Sequence, residues 1–130
     1  MLDAPLLVLV DLETTEAAPT GPSLELLTAA RDLTGGDVVA LALQPLGQAA
    51  SAALAGAGAT RLLSADLGEA AHLPATAADA VVAAVGAVQP AAVLVVSDYR
   101  GKELAGRAAV VLGSACVSDV TALEAAGTEL

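Results

Sequence analysis

Aromatic side chains are nearly missing from this sequence. Tyr99 is the single one, with no Trp and no Phe in 130 residues. Base stacking on aromatic platforms, and an aromatic cage around a cation or a flavin ring, are therefore excluded. Cysteine and histidine are equally scarce, with one each, Cys116 and His72. A lone cysteine cannot close an intramolecular disulfide or build a multi-cysteine metal site. A lone histidine excludes His-rich zinc or iron ligation. Basic residues are few: 5 Lys+Arg stand against 15 Asp+Glu, a formal net charge of -10. Such a chain repels phosphate backbones and anionic lipid surfaces, so neither nucleic-acid binding nor membrane insertion is expected. The apolar run near the N-terminus lacks a positive flank, is too short for a span and is bounded by Asp3 and Asp11. A reducing cytoplasm is the expected setting.

What is abundant is small and apolar: 56% of residues are hydrophobic and only 15% are charged. That excludes a disordered chain, and the length suits one domain spanning 1–130. A core of Ala, Val and Leu buries little area per residue. Its density has to come from close backbone approach.

Short apolar runs alternate with helical stretches. Residues 6–10, Leu-Leu-Val-Leu-Val, are continuously apolar. Such a run fits a parallel strand buried on both faces. Ser23 is expected to cap a first helix, with Glu25 in its first turn, Leu26, Ala29, Ala30 and Leu33 at helical spacing, and Gly35-Gly36 as its stop. Residues 38–43 form a second strand, 46–55 an Ala-rich helix stopped by Gly56 and Gly58, and 61–64 a third strand. Residues 65–75 read as irregular. Thr76 is placed as cap of a helix running to about Val88, where Gln89-Pro90 breaks it. Residues 92–96 give a fourth strand, 97–101 a polar turn, 102–112 a helix ended by Gly113, and 117–123 a fifth strand.

This rhythm predicts an α/β, Rossmann-like, doubly wound and mostly parallel sheet with helices on both faces. The expected strand order is 3-2-1-4-5, with right-handed crossovers. Ligands of such folds sit beyond the carboxyl ends of the strands where the order reverses, here between strands 1 and 4. Two loops meet there: Asp11 to Thr15, and Ser97 to Lys102.

The first loop offers no phosphate cradle. No G-x-G-x-x-G separates Asp11 from Ser23, Gly21 is followed by Pro22 with no N–H, and Glu13 and Glu16 repel phosphate. The second loop is the better anion candidate. Gly101 opens a helix, and Arg100, Lys102 and Arg107 are three of the five basic residues. The alternative is that Asp98 caps the helix while Arg100, Lys102 and Arg107 face solvent or a partner. Catalysis has less support. Ser97 and Ser114 have no nearby histidine, Cys116 opens an apolar strand, and Asp98 with Asp119 lacks a visible nucleophile–base pair. No catalytic or metal-binding residue is assigned, and the residues alone favour a binding or assembly module over an enzyme.

Three stretches go further. They are Ser23-Leu24-Glu25-Leu26-Leu27-Thr28-Ala29-Ala30-Arg31-Asp32-Leu33, then Gly101-Lys102-Glu103-Leu104-Ala105-Gly106-Arg107-Ala108-Ala109, then Val117-Ser118-Asp119-Val120. In that order and spacing the chain resembles the N-terminal domain of the electron transfer flavoprotein alpha subunit, a fold of the adenine nucleotide alpha hydrolase-like type. Gly106 stands where that family usually has proline, which costs up to ~1 kcal/mol of local helix stability. The resemblance implies a scaffold that pairs with an electron transfer flavoprotein beta subunit. The resulting heterodimer carries FAD, with AMP in the beta subunit, and moves electrons from flavin dehydrogenases to a membrane-bound acceptor. It also implies that FAD is held mainly by a C-terminal domain, so a chain stopping at Leu130 is expected to be truncated before that domain and to bind no cofactor alone. The competing expectation is an independent adenine-nucleotide-binding module similar to universal stress proteins, using Arg100, Gly101 and Lys102.

Overall fold

The computed structural model describes residues 3–10, 20–65 and 74–95, and beyond them Glu103, Arg107, Ala108 and Val110. The described elements run β1 (Leu6–Leu9), α1 (Gly21–Leu33), β2 (Val38–Ala42), α2 (Gln48–Ala57), β3 (Arg61–Ser64), α3 (Pro74–Val88) and β4 (Ala92–Leu94). The four strands form one sheet in the order β3-β2-β1-β4. All three pairings are parallel: Leu6 lies opposite Val38 and Ala92, and Val39 opposite Arg61. This matches the first four strands of the order expected from sequence. The fifth strand, over 117–123, lies outside the described residues.

β1 is central, and its continuous apolar sequence follows from that position. Every residue from Leu6 to Val10 is at most 3% exposed. Side chains alternate across a strand, so neighbours in β1 serve opposite cores. Leu6, Val8 and Val10 join Val38, Ala40, Ala42 and Leu94 beneath α1 and α2, against Leu27, Ala30, Leu33 and Leu54. Leu7 and Leu9 join Val39 and Leu41 on the other face, against Ala77, Ala78, Val81, Ala84 and Val88 of α3 and against Ala108. The sheet is thus covered on both sides, as its two-faced apolarity requires. Each leucine or valine so buried contributes about 1.5–3 kcal/mol, and each alanine less.

The helix ends differ in detail from the sequence expectation. α1 begins at Gly21, not after Ser23. Thr20 is its N-cap, accepting a hydrogen bond from the Ser23 N–H at 3.4 Å and donating to Ser23 Oγ at 2.9 Å. Pro22 fits the first turn because its missing N–H would have no intrahelical partner there. Glu25 therefore lies beyond the first turn, which holds no acidic residue.

At the other end, Gly35-Gly36 does not supply a left-handed cap. Thr34 caps α1 in extended conformation. Fully buried, its hydroxyl donates to the Ala4 carbonyl at 2.7 Å and accepts from the Gly36 N–H at 3.0 Å. Arg31 reaches over the same corner, donating to the carbonyls of Thr34 at 2.6 Å and Gly36 at 3.1 Å. Gly36 is needed there for close approach: a Cβ would collide with the Asp3 carbonyl oxygen. The corner binds the chain entering β1 to the chain entering β2.

α2 starts at Gln48 behind Gly47 and runs through Gly56 to Ala57, so Gly56 is helical and only Gly58 stops it. Gly58 has φ +129°, and a Cβ there would sit 3.1 Å from Arg31 Cβ and 3.2 Å from the Leu27 carbonyl. Glycine satisfies both demands at once: the backbone conformation and the close packing of α1 on the end of α2. Thr60 then ties β3 to β2. Its N–H donates to the Val38 carbonyl at 2.8 Å, and its hydroxyl accepts from the Val38 N–H at 2.9 Å. α3 opens at Pro74, which places Thr76 inside the helix rather than at its cap. It closes at Gln89, whose φ of 53° is left-handed, just before Pro90. β4 is shorter than expected, ending at Leu94.

Two substitutions test these corners. Thr34→Val keeps the volume but strips a side-chain partner from two half-buried backbone groups, the Ala4 carbonyl and the Gly36 N–H. It should lower the unfolding free energy by about 1–3 kcal/mol in urea titration, with Thr28→Val on the exposed face of α1 costing less. Equal losses would show that the Thr34 corner is not special. Gln89→Gly removes a left-handed L-residue and should raise stability by up to ~1 kcal/mol. A lowered melting temperature would contradict that account of the end of α3.

Candidate functional site

Strand order reverses between β1 and β4, since the chain passes from β1 outward to β2 and β3 and then returns to the other side of β1. Crevices at the carboxyl ends of such a strand pair are where doubly wound folds bind ligands. Val10 and Val95 are the described residues just past those ends. Val10 is buried, accepts a place in the core beneath α1, and donates its N–H to the Leu41 carbonyl at 2.9 Å. Val95 is half-buried and packs toward the α3 side. The described floor of the crevice is therefore apolar.

The residues that sequence reasoning placed around this floor are divided by what the structure describes. Asp11, Glu13 and Glu16 on one side lie outside the described residues. So do Ser97, Asp98, Tyr99, Arg100, Gly101 and Lys102 on the other. His72, Gly106, Ser114, Cys116 and Asp119 lie outside them as well.

Arg107 is described. It sits in helical backbone, and one of its terminal nitrogens lies 3.5 Å from Glu103 Oε1, one turn earlier. Both side chains are open to water, 54% and 40% exposed. An exposed i,i+4 pair of this kind is worth at most about 0.5 kcal/mol. Residues 103, 107 and 110 share one helix face by their spacing. Val110 belongs to it and is 82% exposed, whereas Ala108 turns into the core against the α3 side of the sheet. The helix is thus anchored by a small residue on one side and presents a cation, an anion and an apolar side chain on the other. Charge and its place in the Gly101 to Ala109 stretch single out Arg107 in the sequence. Neither singles out Val110, because nothing in an Ala- and Val-rich run distinguishes an outward valine from an inward one.

Among the described residues, no buried side-chain nitrogen or oxygen is without a hydrogen-bond partner. The buried hydroxyl of Thr34 is committed to backbone at the α1–β2 corner, at the amino ends of the strands. Ser23 is occupied by the α1 cap. No group of three or more His, Cys, Asp or Glu among the described residues could hold a metal ion. No described helix is long and apolar enough to cross a membrane.

Comparison with known proteins places this architecture. No curated protein matches the chain. The sequence model of the electron transfer flavoprotein domain matches from residue 8 to residue 130, taking in every described element from the middle of β1 onward. A match over nearly the whole length, on an all-parallel sheet of the expected order, shows that the chain belongs to the electron transfer flavoprotein domain family.

Proposed function

We propose that this domain is the scaffold and subunit-pairing domain of an electron transfer flavoprotein alpha subunit. The observation that carries the reading is the order of its three sequence stretches. The α1 stretch ending in Ala29-Ala30-Arg31, the stretch from Gly101 through Arg107, and Val117-Ser118-Asp119-Val120 follow one another inside the region matched by the family model. Their alpha-subunit character is what distinguishes this reading from the broader family.

The physical work of such a domain is to hold a surface rather than to hold a ligand. A sheet buried on both faces, with helix ends pinned at Thr34 and Gly58, supplies a stiff support. The helix carrying Arg107 and Val110 supplies a surface on which charge and apolar area lie side by side. Arg100 and Lys102 add basic charge nearby in sequence within an otherwise acidic chain. These residues, Arg100, Lys102 and Arg107, are the proposed contacts to the beta subunit. FAD in the assembled heterodimer is proposed to be held outside residues 1–130, and AMP in the beta subunit. In this role the chain serves electron transfer from flavin dehydrogenases without a catalytic residue of its own.

The pairing is tested by co-expression with the cognate beta subunit and size-exclusion chromatography. The two chains should co-elute at equal stoichiometry. Arg107→Glu should weaken the complex at least several-fold while leaving the melting temperature nearly unchanged, because the Glu103 pair contributes little to the fold. A chain that is folded by circular dichroism yet elutes alone would overturn the reading. Flavin content gives a second test. Residues 1–130 purified alone should show no absorption in the flavin bands, and yellow protein would show that the cofactor site had been misplaced. Calorimetric titration with AMP and ATP separates this reading from an independent nucleotide-binding module, which would give heat at millimolar ligand.

A further inference from the structure

We draw no further inference here: the strongest candidate, the outward face of α2 with its exposed Ala49, Ala52, Ala53 and Ala55 beside the β3 edge of the sheet, is a stripe of small residues, and nothing in the structure shows what covers it.

Discussion

The burial of β1 on both of its faces is the constraint from which the rest follows. A parallel strand in the middle of a sheet has no solvent side, so Leu6, Leu7, Val8, Leu9 and Val10 all had to be apolar. Their alternation divides the interior into two cores, one under α1 and α2 and one under α3. The same central position makes β1 the strand at which the order reverses. The crevice between β1 and β4 is therefore a product of the packing, whatever occupies it.

Building such a layered fold almost without aromatics demands short distances. Alanines at positions 30, 40, 42, 77, 78, 84 and 108 are buried, so helix backbones lie close to the sheet. Close backbones need polar groups satisfied locally. Threonine performs that task repeatedly here. Thr20 caps α1, Thr34 closes it onto the strand entrance, Thr28 lies within hydrogen-bond reach of the Ala57 carbonyl at the end of α2, and Thr60 stitches β3 to β2. Glycine enters where even a methyl group would collide, at Gly36 and Gly58.

Much of this was legible from the residues. Continuous apolar runs mark β1, β2 and β4, the 61–64 strand lies at its expected bounds, and the alternation with helices implies a parallel sheet whose first four strands take the expected order. Helix ends were less legible, because several residue types can serve the same end. Ser23 resembles a cap, yet the hydroxyl of Thr20, two residues before Pro22, is the one that accepts from the first turn. Gly35-Gly36 resembled a left-handed stop, but Gly36 is set by proximity to Asp3, a tertiary contact that no local pattern contains. Gln89 was read as part of a break, and its left-handed backbone is a conformation its sequence does not advertise. The candidate site was legible in composition only. Charge counting isolated Arg107 with its neighbours, whereas the exposure of Val110 depends on which side of its helix Ala108 packs.

In the proposed role, a small-residue core holds the helix face bearing Arg107 and Val110 toward another subunit. Hydrogen–deuterium exchange on the chain alone and with the beta subunit tests it most directly. β1 and β2 amides should exchange slowly in both states, since their bonds open only with the whole sheet. Peptides covering residues 100–110 should gain protection on complex formation, and those covering α2 should not. A complex that forms while protecting α2 and leaving residues 100–110 unchanged would contradict the account.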